Sequence, residues 1–136
     1  MTRILVVEDD VTTARMLVDF FADSGYQVVW EPDGLRALLH IDLRKPDAIV
    51  LDLMLPVITG VDVARRLRND LRSAHIPILA ITGIESLADF SEVLMVDRVI
   101  SKPVDLNELG ESLSQLLGTS PDAGLIDQRA DGFVFD

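Results

Sequence analysis

The chain has 136 residues, 49% of them hydrophobic, which is enough for one domain with a buried core. It contains no cysteine, so disulfides, thiolate catalysis and cysteine-ligated metals are excluded. The 23 acidic and 12 basic residues give a formal net charge of −11, so we expect no nucleic-acid binding by this chain alone.

Apolar runs and turn residues alternate along the chain. Short apolar runs bounded by turn residues predict buried strands at 4–7, 28–30, 49–52, 78–82 and 98–101. Apolar residues at helical spacing predict helices at 12–24, 35–45, 59–67, 87–94 (weakly) and 105–118. In the last helix, Asp105 is predicted to form a capping box with Glu108.

Strand and helix alternate five times, which predicts an α/β fold with a five-stranded parallel sheet and helices on both faces. Right-handed crossovers leave few topologies, and we predict the flavodoxin-like (βα)5 arrangement with strand order 2-1-3-4-5. In that order the first and third strands are neighbours at the switch point. Ligands of open α/β sheets bind at this carboxyl edge.

Charged and polar side chains follow four of the predicted strands at that edge. Glu8 and Asp9 follow the first strand and Asp52 ends the third, so their carboxylates should crowd one pocket. Carboxylates without histidine or cysteine favour Mg²⁺ or Mn²⁺. Thr82 and Lys102, at the ends of the fourth and fifth strands, would add a hydroxyl and an ammonium. Such a group can bind a phosphoryl group, with Asp52 as the nucleophile.

Each of these residues also has an ordinary structural explanation. The acidic run 8–10 could cap a helix, Thr82 could be favoured in a strand for its β-branch, and Lys102 could be a surface lysine before a turn. Asp52 could simply begin a turn. Their coincidence at the carboxyl ends of four strands favours the phosphoryl site.

The combination resembles the receiver domain of bacterial two-component response regulators. The matching segments are 4–10, 46–56 with Gly60, 82–83 and 102–103, and the resemblance covers about residues 3–118. It implies that Asp52 accepts a phosphoryl group from the phosphohistidine of a histidine kinase. It also implies a Lys102–Pro103 peptide bond in the cis form.

The resemblance further assigns roles to the neighbours of Asp52. Glu8 and Asp9 would be the acidic pair that holds Mg²⁺ with Asp52, and Asp9 would be the more direct ligand. The backbone carbonyl of Met54 would be a further metal ligand. Thr82 would hydrogen-bond to the phosphoryl group, and Lys102 would pair with it.

The implied function is a stand-alone, phosphorylation-switched interaction module in two-component signal transduction. It is not a turnover enzyme; at most it catalyses the phosphorylation and dephosphorylation of its own aspartate. The implied partners are a histidine kinase or phosphotransfer protein and an unidentified downstream protein, and a homodimer is left open.

The chain departs from the family pattern at three places. Val99 stands where the family usually has an aromatic residue, Thr59 stands where it often has Asp, and the segment 82–102 is slightly short. A pseudo-receiver that works without phosphorylation therefore remains an alternative. A haloacid-dehalogenase-type phosphatase would need Asp in place of Met54. A flavin binder would need a glycine- and hydroxyl-rich loop where the acidic run 8–10 stands.

The predicted domain comprises residues 1–118, followed by a linker-like tail at 119–136. The tail is either an acidic disordered end or, given Phe133 and Phe135, a docking segment. No apolar run could span a bilayer and the start lacks a signal-peptide layout, so we expect a cytoplasmic protein without membrane contact. The only basic cluster, Arg65, Arg66, Arg68 and Arg72, is predicted to be one solvated helix face.

Overall fold

The computed structural model describes residues 1–84, 91 and 94–118. In these residues the strands are β1 (Arg3–Val7), β2 (Gln27–Glu31), β3 (Ala48–Asp52), β4 (Ile78–Thr82) and β5 (Arg98–Ser101). The helices are α1 (Val11–Asp23), α2 (Gly34–Leu43), α3 (Gly60–Arg68) and α4 (Leu106–Leu116). All neighbouring strands are parallel, and their order is β2-β1-β3-β4-β5, which confirms the predicted topology.

Alternate residues of the central strands face opposite sides of the sheet, and both sides are apolar. One side packs against α2 and α3 and includes Leu5, Val7, Ile49, Leu51, Ile78, Ala80, Ala37, Ile41, Val63, Ala64 and Leu67. The other side packs against α1 and α4 and includes Ile4, Val6, Val50, Leu79, Ile81, Ile100, Leu17, Phe21, Leu109 and Leu113. The sheet therefore has a core on each face, as the wholly apolar strands predict.

The helices begin at the carboxyl edge of the sheet, where three of them are capped by aspartates. Asp10 accepts a hydrogen bond from Thr13 N at 2.9 Å, and Asp33 accepts one from Arg36 N at 2.8 Å. Asp105 caps α4, but the reciprocal capping box lies at Thr59 and Asp62 of α3 rather than at Asp105 and Glu108.

One sequence interpretation requires correction. Arg68 does not belong to a solvated face, because its side chain is only 19% exposed and donates to backbone carbonyls of a neighbouring loop. In α2, the buried residues are Gly34, Ala37 and Ile41, while Leu35 and Leu39 are exposed.

The Lys102–Pro103 bond is cis, as expected from the resemblance. The predicted helix at 87–94 lies largely outside the described residues, and the tail at 119–136 lies wholly outside them. Among the described helices, none combines the length and the apolar character needed to cross a membrane.

Candidate functional site

The ends of β1 and β3 bring three carboxylates together. Val7 pairs with Leu51 in the parallel ladder, so the next residues, Glu8 and Asp52, emerge side by side at the carboxyl edge. One ligand oxygen from each of Glu8, Asp9 and Asp52 lies within 4.8 Å of the others. Glu8 and Asp52 are buried, with 1% and 3% of their surface exposed, whereas Asp9 faces solvent. The cluster is therefore a buried pair with one exposed acid at its rim.

Lys102 supplies the positive charge nearest to this cluster. Its Nζ donates to Asp52 Oδ2 at 3.2 Å and lies 3.3 Å from Glu8 Oε1. Burial lowers the pKa of the ammonium, but attraction to Asp52 and Glu8 outweighs burial and leaves the pKa above its ordinary value. One ammonium thus accompanies a cluster of three carboxylates, so the positive charge of Lys102 does not balance their combined charge.

The loop after β3 holds Asp52 in place. Asp52 Oδ1 accepts a hydrogen bond from Met54 N at 2.9 Å, while Oδ2 accepts from Lys102. Gly60 N donates to Leu53 O at 3.1 Å, which closes the loop. A Cβ at Gly60 would collide with the backbone of Asp52, so only glycine permits this approach.

Glu8 is fixed by its neighbours in the chain and by β2. Its Oε2 accepts from Asp10 N at 3.2 Å, and its backbone carbonyl accepts from Trp30 Nε1 at 2.7 Å. Its Oε1 is buried and, among the described residues, receives no hydrogen bond apart from the ion-pair contact with Lys102. Burial raises the pKa of Glu8 to about 7, and the adjacent Asp52 carboxylate adds to the rise.

The donor set fits a divalent cation such as Mg²⁺. Three carboxylates converge, the buried Glu8 Oε1 has only the Lys102 ammonium as a partner among the described residues, and neither histidine nor cysteine belongs to the cluster. Hard oxygen ligands of this kind suit Mg²⁺ or Mn²⁺, and a bound cation would offset the repulsion between Glu8 and Asp52 that adds to the effect of burial on the Glu8 pKa. Whether the Met54 carbonyl is also a ligand stays a prediction.

Thr82 lies at the same edge, on the next strand. Ile81 pairs with Asp52 in the ladder, so Thr82 is one position beyond it. The Thr82 side chain is fully buried, its hydroxyl accepts from Ile84 N at 3.0 Å, and its carbonyl accepts from Lys102 N at 2.7 Å. The structure records no bond from Thr82 to the carboxylates, so its role stays a prediction.

Sequence reasoning missed one residue of the site, Trp30. The indole contacts Glu8 because β2 lies beside β1 and the two strands end at the same edge. The sequence predicts the strand order. A hydrogen bond from a side chain in one strand to a backbone carbonyl at the end of the neighbouring strand has no signature in the sequence.

The stability of the metal-free protein should fall as the pH rises from 4.5 to about 7. The ordinary pKa of a glutamate is 4.5, and that of Glu8 in the folded protein is about 7, so folding favours the protonated form of Glu8. The contribution of Glu8 to the free energy of unfolding is complete below pH 4.5 and is lost as the pH rises through 7. It amounts to on the order of 3 kcal/mol. Urea unfolding in EDTA across this range measures it.

The matched variant for this measurement is Glu8→Gln, which keeps the shape of the side chain and cannot titrate. Its unfolding free energy should vary much less with pH over the same range. Equal pH dependence in the two proteins would show that Glu8 is not the group responsible.

The chain matches a known family over most of its length. The family model described as the response regulator receiver domain matches residues 4–114. Polar-differentiation response regulator DivK of Brucella ovis is 30% identical over 121 residues, which cover 87% of this chain and 98% of DivK. Response regulator MprA of Mycobacterium sp. strain KMS is 38% identical over 125 residues, covering 90% of this chain and 54% of MprA. The chain thus spans nearly all of one relative and about half of the other.

The fold also matches solved structures. The signal receiver domain of a signal transduction histidine kinase from Syntrophus aciditrophicus superposes with a TM-score of 0.80 and 28% sequence identity. The match covers 87% of this chain and 91% of that domain.

Proposed function

Because the chain belongs to the response regulator receiver domain family, we propose that Asp52 accepts a phosphoryl group from the phosphohistidine of a histidine kinase or phosphotransfer protein. The observation that supports this most is the setting of Asp52. Its carboxylate is buried, held by Met54 N and Lys102 Nζ, and flanked by two further carboxylates that suit Mg²⁺.

In the proposed reaction, an oxygen of Asp52 attacks the phosphorus atom of the donor. The new P–O bond forms as the P–N bond to the imidazole breaks, and the electron pair stays on the departing nitrogen. The histidine leaves as a neutral imidazole, with its proton either already on the other ring nitrogen or taken up from solvent by the departing one. The product is an acyl phosphate on Asp52 and a free histidine on the donor.

The residues around Asp52 have separate tasks in this step. The loop bond from Met54 N and the ion pair with Lys102 orient the attacking carboxylate before the donor arrives. Lys102 then turns to the phosphoryl oxygens, and the Thr82 hydroxyl donates a hydrogen bond to one of them. A Mg²⁺ ion held by Glu8, Asp9 and Asp52, with the Met54 carbonyl, would neutralise charge on the phosphoryl group.

The phosphorylated chain would act as a signalling switch. The family comprises signalling domains, so the proposed activity is limited to phosphorylation of its own aspartate and the later hydrolysis of that phosphate. We propose that the acyl phosphate changes the affinity of the chain for a downstream protein, through contacts that differ between the two states.

Incubating the protein with phosphoramidate or acetyl phosphate in Mg²⁺ should add one phosphoryl group, detectable by intact-mass spectrometry. Asp52→Asn should abolish the addition, and EDTA should suppress it in the wild type. Asp10→Asn is the matched control, because asparagine keeps the helix cap while removing a nearby carboxylate.

Two results would contradict the proposal. Undiminished labelling of Asp52→Asn would exclude Asp52 as the acceptor, and undiminished labelling in EDTA would exclude the metal requirement. A wild type that takes no phosphoryl group under any condition would instead favour the pseudo-receiver, a binding module that works without phosphorylation.

A further inference from the structure

Trp30, the only tryptophan of the chain, forms a bond that ties β2 to the acidic cluster. It lies one residue before the end of β2 and is 38% exposed. Its indole Nε1 donates to the backbone carbonyl of Glu8 at 2.7 Å. This distance is short for an N–H···O hydrogen bond, and it joins a surface aromatic ring to a residue of the proposed metal site.

The hydrogen bond from the indole lies just beyond the end of the β1–β2 ladder. Glu8 N still donates to Glu31 O at 3.2 Å, and β2 ends at Glu31, so the ladder does not continue to the Glu8 carbonyl. Among the described residues, no backbone N–H is recorded donating to the Glu8 carbonyl. The indole therefore satisfies a carbonyl that the sheet leaves unpaired.

The bonded carbonyl lies in the peptide plane between Glu8 and Asp9. Because that plane is rigid, fixing its carbonyl also fixes the direction in which the chain enters Asp9. One bond thus restrains the backbone of both members of the acidic pair. The bond from Asp10 N to Glu8 Oε2 restrains the side chain at the other end.

We propose that Trp30 is a positioning residue that holds Glu8 and Asp9 in the geometry needed to bind the divalent cation. This inference rests on the proposed function, since it concerns the same cation. Trp30 does not touch the metal; it acts through the Glu8–Asp9 peptide. Its removal should therefore weaken the affinity for Mg²⁺ more than it weakens the fold.

The positioning role of Trp30 can be tested without unfolding the protein, because the ring lies at the surface. The exposed side of Trp30 lines a surface cavity of about 240 Å³ together with Val11, Arg15, Val18 and Asp19 of α1. Trp30 is partly exposed, so a replacement that keeps the shape of its ring should disturb the fold little. The N–H can thus be removed while the ring volume is kept.

The experiment replaces Trp30 with β-(3-benzothienyl)alanine, which has sulfur in place of the indole N–H and nearly the same shape. Calorimetric titration with MgCl₂ should show an affinity about tenfold weaker than that of the wild type, corresponding to the loss of one well-formed hydrogen bond. The midpoint of thermal unfolding in EDTA should change much less. 4-Fluorotryptophan, which keeps the N–H, should restore wild-type affinity.

Val18→Ala is the matched control at the same cavity, since it shortens another lining side chain but leaves the indole bond. It should bind Mg²⁺ like the wild type. In ¹⁵N-labelled wild type, the indole N–H resonance should shift on addition of Mg²⁺, without any phosphoryl donor present.

Unchanged Mg²⁺ affinity in the benzothienyl variant would overturn this inference and leave the proposed function intact. An equal loss of affinity with 4-fluorotryptophan would also overturn it, because that ring keeps the N–H. A wild type that binds no Mg²⁺ would overturn the proposed metal site itself, and the inference with it.

Discussion

Gly60→Ala is expected to destabilise the protein by about 3 kcal/mol and to abolish Mg²⁺-dependent phosphorylation at Asp52. A Cβ at this position would collide with the Asp52 carbonyl oxygen and lie 2.6 Å from Leu53 Cα. Both contacts are with backbone, which cannot move aside as a flexible side chain can, so either β3 or α3 must shift. The shift falls on the loop that holds the Asp52 carboxylate.

Denaturant unfolding measures the loss of stability, and phosphoramidate labelling measures the loss of function. The matched control is Gly83→Ala, because a Cβ there would meet nothing within 4 Å. It should remain within about 1 kcal/mol of the wild type. A stable Gly60→Ala variant that labels normally would show that the close approach of α3 to β3 is not required.

Arg68→Ala is expected to destabilise the protein by about 3 kcal/mol without weakening Mg²⁺ binding by the molecules that remain folded. The guanidinium donates to the carbonyls of Ala74, Ile76 and Met95, at 3.1, 2.7 and 3.0 Å, and to Asp97 Oδ2 at 2.8 Å. Its removal takes this donor from the three carbonyls and the charged partner from Asp97.

Asp97 extends the network, because its Oδ2 also accepts from Ile78 N at 2.7 Å, at the start of β4. The network thus joins the end of α3 to the amino ends of β4 and β5, at the edge opposite the acidic cluster.

Arg65→Ala is the matched control. Its exposed pair with Asp62 at 3.3 Å should contribute less than about 1 kcal/mol. Equal unfolding free energies for the two variants would contradict this account.

The strands and their order were predictable because the apolar runs and the alternation of strands and helices along the chain indicate the same fold. Each strand is a short apolar run, and the residue that follows it or ends it is polar at Glu8, Asp52 and Lys102. A parallel sheet places all those residues at one edge, so the acidic cluster follows from the topology alone. The 3.2 Å contact between Lys102 and Asp52 joins residues 50 positions apart in sequence.

Features that depend on tertiary contact were not predictable in the same way. Arg68 resembles its exposed neighbours in sequence, and its acceptors come from the loop before β4, at Ala74 and Ile76, and from the return of the chain at Met95 and Asp97. The contact of Trp30 with Glu8 requires the β1–β2 register, which no local pattern specifies. Thr59 and Asp105 both have residues suited to a capping box three positions further on. Only Thr59 forms one, because the backbone geometry at the start of each helix, which the sequence does not specify, determines whether the side chains reach each other.

The most direct test of the central claim is to locate the phosphoryl group. The wild type is phosphorylated in Mg²⁺, reduced with borohydride, which converts an aspartyl phosphate to homoserine, and then mapped by peptide mass spectrometry. We predict homoserine at position 52 and at no other aspartate. Homoserine at Asp9 or Asp10 with position 52 unmodified, or a phosphoryl group that resists borohydride, would contradict the account.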